Sequence, residues 1–165
     1  MIKTLDERIQ RAKELLRTVR HASMATVNED GSPHNTPFLF LHDDKLTYIY
    51  WGSHPDSQHS KNILRTGQIF VVVYDAIERG GLYIRAEGGH PLEGKEMDAA
   101  LAVHNQFRAR EKKSPLKLSY YTGNSPQRMW SAKTVEFWVV DDEKDANGHL
   151  IKDYRRKITV TDLLS

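Results

Sequence analysis

The residues best suited to chemistry lie in one short segment, at the start of a predicted helix spanning 57–66. Ser57, Ser60 and Lys61 fall in the first turn of that helix. A helix N-terminus carries unpaired N–H groups and partial positive charge, so it suits a phosphate group. Hydroxyls and one ammonium group would complete the binding shell of a dianion. The segment therefore predicts a phosphate site, and the alternative is that Asp56 or Ser57 only caps the helix while Lys61 is solvated.

Histidines flank the same segment. His54 and His59 could each contribute a hydrogen bond to the phosphate site. Their spacing also allows a metal site, but no carboxylate or third histidine at ligand spacing supports one, so we expect no metal. His104 lies on the apolar stripe of a later predicted helix, where we expect it to be a satisfied, interfacial histidine. No residue pattern identifies a general acid or base, and the catalytic residues stay unassigned.

Composition excludes several classes of protein. The chain has 165 residues, no cysteine, and 24 basic against 22 acidic residues. Disulfides, thiolate metal sites and cysteine nucleophiles are therefore absent. The charged N-terminus and the lack of an apolar run of about 20 residues argue against a signal peptide and a membrane span. We expect one cytoplasmic domain over residues 1–165, with no membrane partner.

Basic residues are mostly interspersed with acidic ones, which argues against a nucleic-acid partner. The densest basic cluster comprises Lys152, Arg155, Arg156 and Lys157. We interpret it as the solvated face of a strand, with a phosphate or anion contact as the alternative. Other enzyme classes also lack support, because the sequence has no nucleophile elbow, phosphate-binding P-loop or dinucleotide fingerprint.

Hydrophobic periodicity predicts strands in meander order with helices at the start and between later strands. An Asp-Gly pair at 30–31 between two strand-like runs indicates a hairpin. Residues 68–74 form a nearly continuous apolar run, which we interpret as a strand buried on both faces. The predicted helices are 5–19, 57–66 and 95–112, and the remaining strands are 21–28, 34–41, 46–51, 82–90, 134–140 and 157–160.

This element order predicts a mainly β fold with flanking helices: a closed or partly closed antiparallel barrel of six or seven strands. Long helices between all the strands would have favoured a doubly wound parallel sheet, and they are missing from the first half of the chain.

The stretch from His21 to Asp75 resembles the FMN-binding split-barrel family related to pyridoxamine 5′-phosphate oxidase. The order of its motifs carries the resemblance: Asp30-Gly31-Ser32-Pro33, the strand from His34 to Leu39, Tyr50-Trp51, Ser60-Lys61-Asn62-Ile63, and the apolar strand Ile69 to Tyr74. Near the C-terminus, Val135-Glu136-Phe137-Trp138 resembles the family's strand whose tryptophan lies by the flavin. The resemblance implies a split barrel, FMN as cofactor, and a homodimer with the flavin at the interface.

The resemblance also implies roles for individual residues. Ser60 and Lys61 would bind the 5′-phosphate, as the local physics already suggests. Trp138 would come from the partner subunit or flank the ring, with core packing as the alternative. The remaining implied cofactor contacts lie along the flavin or beside its ribityl chain, and they are His34, Asn35, Thr36, Pro37, Phe38, Tyr50 and Trp51.

The sequence departs from the oxidase itself. No arginine stands near His34, and the stretch 107–114 lacks the Tyr, Arg and Ser set that grips the vitamin B6 phosphate. Vitamin B6 oxidation is therefore not the expected reaction. Three functions fit: an FMN-dependent oxidoreductase that uses a reduced nicotinamide and an unknown small molecule, a flavin-binding stress or storage module without turnover, or a split barrel that binds deazaflavin or haem.

Overall fold

One antiparallel sheet organises the chain in the computed structural model, which describes residues 4–77 and 80–165. Its strand order is β2-β1-β5-β6-β7-β4-β3, and β8 pairs with β7. The eight strands are β1 (His21–Val27), β2 (Pro33–Leu39), β3 (Leu41–His42), β4 (Tyr48–Ser53), β5 (Gln68–Val73), β6 (Leu82–Pro91), β7 (Arg128–Lys144) and β8 (Leu150–Ile158). The sheet curls into a half-barrel, which confirms the predicted fold class; the two-residue β3 makes one strand more than predicted.

Within residues 4–77 and 80–165, four α-helices and one short 3-10 helix accompany the sheet. They are α1 (Leu5–Thr18), α2 (Gln58–Thr66), the 3-10 helix Leu118–Tyr120, α3 (Gly94–Arg110) and α4 (Val160–Leu164). A capping box between Thr4 and Glu7 starts α1, because each side chain accepts from the other residue's backbone N–H. None of the described helices is long and apolar enough to cross a bilayer.

The main core fills the concave face of the sheet. Trp51 and Trp130 stack there with ring centroids 6.2 Å apart, and α1 and α2 close the core from their buried sides. A second cluster lies under α3, where Met97 and Ala100 meet Tyr50 and Met129. The two clusters lie on opposite faces of β4, since successive residues of a strand point to opposite sides.

The strand β5 differs from its prediction. Its residues alternate between buried and half-exposed positions, so it is buried on one face rather than two. Ile69, Val71 and Val73 enter the core, whereas Phe70 and Val72 lie on the convex face, at a part of it that α3 does not cover. β-branched residues suit both faces of a strand, which is why the apolar run alone did not distinguish the two cases.

The last two strands are also longer than predicted. β7 has 17 residues and pairs with β4 and β8 on successive parts of one edge, while β6 pairs along the other. The basic residues of β8 are engaged locally: Lys152 lies 2.9 Å from Glu143, Arg156 pairs with Asp141, and Lys157 pairs with Glu136. The guanidinium of Arg155 lies over the rings of Phe70 and Tyr83, 4.9 and 4.4 Å from their centroids. The basic run is therefore a solvated strand face, in which Lys152, Arg156 and Lys157 pair with carboxylates and Arg155 lies over aromatic rings.

Close packing fixes the position of α2 on the sheet. Gly67 ends the helix in the left-handed conformation, with φ 67°, and its carbonyl accepts from Gly88 N–H at 2.8 Å. A Cβ atom at Gly89 would overlap the side chain of Ile63, so a glycine is needed where the helix crosses β6. These contacts near the C-terminal end of α2 fix the helix on β6 and so fix the position of its start.

Candidate functional site

The first turn of α2 offers unpaired backbone donors. Gln58, His59 and Ser60 are its first three residues, and their N–H groups make no hydrogen bond among the described residues; the first helical bond runs from Lys61 N–H to Ser57 O. Ser57 occupies the N-cap position, but its hydroxyl does not cap the helix. These three N–H groups are referred to below as the anion cradle.

The hydroxyl of Ser57 is held in a cluster instead. It lies 2.8 Å from Ser60 Oγ, 3.0 Å from Ser53 Oγ and 3.1 Å from His59 Nε2. Ser53 Oγ and His59 Nε2 are 2.6 Å apart, and Ser60 donates to His54 O at 3.0 Å. We call Ser53, Ser57, His59 and Ser60 the hydroxyl–imidazole cluster. It ties the end of β4 to the start of α2.

The imidazole of His59 is poised to stay neutral. Burial is the main cause that lowers its pKa, and the nearby His34 lowers it further. The two rings lie 6.5 Å apart between centroids and only 19° from parallel. In the part of the chain that the structure describes, no three histidine or carboxylate side chains gather into a group that could hold a metal ion.

A buried amide locks α2 against the first hairpin. The Nδ2 atom of Asn62 donates to Thr26 Oγ1 at 3.0 Å and to Asn28 Oδ1 at 2.9 Å. Its Oδ1 atom accepts from Gln58 Nε2 at 2.9 Å. Asn62 thus makes one hydrogen bond within the first turns of α2 and two to the first hairpin. These bonds orient the start of α2 relative to β1.

Several of the sequence-predicted site residues lie on the concave side of the sheet. His34, Thr36 and Phe38 lie there at alternate positions of β2, and His34 approaches α2 through His59. Lys61 is exposed in the first turn of α2. Ser60 is fully buried and satisfied within the hydroxyl–imidazole cluster, so it shapes the site rather than lining its surface.

Two predicted contacts lie in the apolar clusters. Trp51 has no accessible surface, packs against Trp130 and Phe38, and therefore offers no contact to a ligand in this conformation. Tyr50 is 8% exposed on the opposite face of β4, at a hollow of about 260 Å³ that Lys95 and Glu96 also line.

The other predicted residues lie on the convex face of the sheet. Asn35 accepts the hydroxyl of Ser23 at 2.6 Å, and Pro37 pairs opposite Ser23 in register. Trp138 packs at 5.9 Å from Phe70 between ring centroids. A single copy of the chain thus leaves Trp138 and His34 on opposite sides of one sheet.

The strand β2 forms one edge of the sheet and presents few donors. Backbone hydrogen bonds join Asn28 to Ser32 and Phe40 to Arg20, at the two ends of the β1–β2 pair. Since hydrogen-bonded positions alternate along an antiparallel pair, the even-numbered residues of β2 hydrogen-bond to β1. The odd-numbered residues point outward, and two of them, Pro33 and Pro37, have no N–H. Only the N–H groups of residues 35 and 39 therefore face outward from this edge.

A buried histidine–tyrosine pair lies on the far side of β4. His104 Nδ1 and Tyr121 Oη are 2.9 Å apart, so His104 is satisfied. Burial lowers the pKa of His104 to about 4 and raises the pKa of Tyr121 to about 12. The ring of Tyr121 lies so close to Gly52 that a Cβ there would come within 3.0 Å of it. Tyr121 also lines a cavity of about 550 Å³, which Pro55 and Arg128 border.

Sequence reasoning did not find Ser53 or the Tyr121 partner of His104. Ser53 is six residues from His59 but reaches it only because the loop 54–57 turns back over the end of β4. Tyr121 lies in a polar, irregular segment that carries no periodic signal. Only the polar character of position 53 at the end of an apolar strand hinted at a role.

The comparison with family models is decisive for classification. Residues 9–141 match the model described as pyridoxamine 5′-phosphate oxidase. The chain belongs to this family. The match begins within α1 and ends near the C-terminal end of β7, and so includes the cradle, the hydroxyl–imidazole cluster and the edge strand β2. No curated protein matches the sequence significantly.

Solved structures share the fold at low sequence identity. A pyridoxamine 5′-phosphate oxidase-related, FMN-binding protein from Nostoc punctiforme is 14% identical, with a TM-score of 0.56 and coverage of 92% of this chain and 94% of that one. A haem-binding protein from Mycobacterium smegmatis is 15% identical, with a TM-score of 0.62 and coverage of 99% and 62%. An F420 reductase is 18% identical, with a TM-score of 0.54 and coverage of 76% and 94%. The same fold thus occurs in proteins named for three different cofactors.

The Asn62 network predicts a measurable contribution to stability. Asn62→Leu leaves the polar groups of Thr26, Asn28 and Gln58 without their shared partner, so we expect the free energy of unfolding to fall by about 1–3 kcal/mol. Urea denaturation measures it. The control Gln58→Ala removes only the exposed end of the network and should change stability by less than about 0.5 kcal/mol. Equal effects of the two variants would contradict the assignment.

Proposed function

We propose that this chain is an FMN-binding flavoprotein that holds the terminal phosphate in the anion cradle of α2. The observation that supports the proposal is the set of three unpaired N–H groups at Gln58, His59 and Ser60, beside a hydroxyl–imidazole cluster. Such donors favour a phosphate through both hydrogen bonds and the helix dipole. Family membership supports the same cofactor, since a related protein of this fold binds FMN.

Each residue near the cradle has a distinct part in this proposal. The N–H groups of Gln58 and His59, whose residues keep accessible surface, bind phosphate oxygens, and Ser57, which is half-buried, supplies a hydroxyl. Lys61 supplies an exposed positive charge from the same helical turn. Ser60 and Ser53 hold Ser57 and His59 in place, because both are buried and lie within hydrogen-bonding distance of them.

The flavin itself would extend from the cradle along the edge of β2. The outward N–H groups of residues 35 and 39 and the carbonyls beside them are the hydrogen-bonding groups on this edge. Proline at 33 and 37 keeps another strand from pairing fully here, so the edge stays open for a ligand. His34 and Asn35 on the two faces of β2 would flank a ligand that crosses the edge.

We further propose a homodimer. The convex face carries half-exposed Phe70, Val72, Tyr83 and Trp138, and α3 covers a different part of that face, over β3 and the start of β7. Apolar surface of this kind is typical of a protein interface. A second copy seated on this face could bring its Trp138 to the flavin, which one chain cannot do, since its own Trp138 and cradle lie on opposite sides of the sheet.

The proposed reaction is hydride transfer from a reduced nicotinamide, through FMN, to a small molecule. When bound, the flavin supplies the redox chemistry, and the protein supplies binding, orientation and access. The described side chains near the cradle include no assigned general acid or base. The use of a reduced nicotinamide accords with the cytoplasmic location expected from the sequence.

The structural relatives give two alternative cofactors a specific basis, because one is a haem-binding protein and another an F420 reductase. A flavin-binding module without turnover is the third alternative.

The cofactor and the redox behaviour of the purified protein distinguish these alternatives from the proposed reaction. We expect a yellow protein that releases FMN on denaturation, identified by mass, and whose bound flavin is bleached by NADH or NADPH under anaerobic conditions. A Soret band, a released deazaflavin, or a flavin that neither donor reduces would contradict the proposed reaction.

The phosphate assignment predicts a selective loss of affinity. Ser57→Ala with Lys61→Ala removes one hydroxyl and one charge from the cradle, and charge-assisted hydrogen bonds contribute about 1.5–3 kcal/mol each. We expect FMN to bind at least about tenfold more weakly, while riboflavin, which lacks the phosphate, binds almost unchanged. Flavin fluorescence quenching measures both affinities.

The matched control is Lys45→Ala, which removes an exposed lysine from the turn before β4. It should leave both affinities unchanged. Equal losses for FMN and riboflavin in the double variant would mean that these residues do not contact the phosphate.

A further inference from the structure

The hydrogen atoms of the hydroxyl–imidazole cluster can be counted. Ser60 donates to His54 O, and Ser57 donates to Ser60 Oγ. If His59 carries its hydrogen on Nδ1, Ser53 donates its own to Nε2, 2.6 Å away. All three hydroxyl hydrogens are then donated to acceptors of the protein itself, two of them within the cluster and one to His54 O. In this state the serine hydroxyls have no hydrogen left to donate to an anion and would present only their lone pairs to it.

When Nε2 of His59 is also protonated, it becomes a hydrogen-bond donor, and the directions of the serine hydrogen bonds change. The Nε2–H group then donates to Ser53 Oγ or Ser57 Oγ, which lie 2.6 and 3.1 Å away. The hydroxyl hydrogen of Ser53 is released from the ring, and it can reach Ser57 Oγ at 3.0 Å. Ser57 can in turn direct its hydrogen outward. The doubly protonated ring also carries a positive charge two residues from the N-cap.

We propose that His59 makes phosphate recognition proton-linked: the cluster takes up a proton at His59 when the terminal phosphate enters the cradle. This inference rests on the proposed FMN function and adds the residue that senses the phosphate charge. Without a ligand, the burial of His59 and the neighbouring imidazole of His34 both oppose protonation. A phosphate dianion against Ser57 reverses that balance, because an opposite charge within a few ångströms favours the charged form.

The titratable groups around His59 come from β2, from the loop before α2 and from α2 itself. His34 faces it from β2, and His54 and Asp56 lie in the preceding loop, with His54 Nδ1 accepting from Asp56 N–H at 3.0 Å. Lys61 is exposed on the same helical turn, and β4 contributes only the hydroxyl of Ser53. Asp56 is 81% exposed and therefore does not neutralise the ring in place of a ligand.

The sign of the pH dependence follows. The pKa of free His59 is below its ordinary value, and phosphate binding raises it. Between those two pKa values, binding takes up a proton, so FMN affinity falls as pH rises, by up to about tenfold per pH unit. Riboflavin affinity should not follow this dependence, because riboflavin brings no phosphate charge to the cluster.

Isothermal calorimetry at pH 7.5, in two phosphate-free buffers of different protonation enthalpy, measures the proton uptake directly. We expect the wild type to take up a substantial fraction of one proton per FMN and none per riboflavin. His59→Gln should lose this uptake, apart from the small amount that the phosphate of FMN itself contributes near its second pKa of about 6. His34→Gln retains His59 and should still take up a proton.

A histidine NMR titration of the wild type gives the same answer without a variant. The pKa of His59 should rise when FMN is bound and stay low with riboflavin. Suppose that FMN binds more tightly than riboflavin, but that the pKa of His59 does not shift and His59→Gln takes up the same amount of proton. This result would overturn the proton link but leave the FMN function intact. Equal binding of FMN and riboflavin would overturn the FMN phosphate site and the proton link together.

Discussion

The start of α2 is the constraint on which the rest of the structure depends. Its N-cap serine directs the hydroxyl into a cluster with Ser53, His59 and Ser60, so the first three N–H groups of the helix have no partner in the described chain. Unpaired helix donors cost free energy unless water or a ligand satisfies them. The surrounding contacts preserve this arrangement: Gly67 and Gly89 fix the helix against β6, and Asn62 fixes it against β1.

The second constraint is the division of the candidate residues between two faces of one sheet. In an antiparallel sheet, neighbours along a strand point to opposite sides, so His34 and Asn35 cannot contact the same surface of a ligand unless the ligand crosses the strand. β2 permits this because it is an edge strand with prolines at two outward positions. Trp138 and the cradle lie on opposite sides of the sheet, and for this reason the proposed site includes a second copy of the chain.

Much of the fold could be predicted from local patterns. Helical periodicity placed α1 within one residue of its end, and Gly67 marked the end of α2 because its left-handed conformation favours glycine. The turn at Asp30-Gly31 joins β1 and β2, with Gly31 at φ 84°. These features depend on a few neighbouring residues, which is why the sequence alone was sufficient.

The missed features depend on distant residues. The extended pairing of β7 with β8 is formed by charged strands whose ion pairs compensate one another, so no hydrophobic alternation marks it. The burial of Trp51 and the half-exposure of Phe70 follow from the curl of the sheet, and alternation alone does not say which face is inside. In the site, Ser60 and Lys61 were predicted from the helix start, whereas Ser53 reaches His59 only through the fold of the loop between them.

The backbone amides of Gln58, His59 and Ser60 test the central claim most directly. They can be followed in ¹H–¹⁵N correlation spectra of the labelled protein during titration with FMN and, separately, with riboflavin. If the cradle binds the phosphate, the amides of Gln58 and His59, which keep accessible surface, shift strongly downfield with FMN and little with riboflavin, since only FMN supplies an anionic acceptor. A protein that binds FMN while these amides stay unmoved would contradict the account.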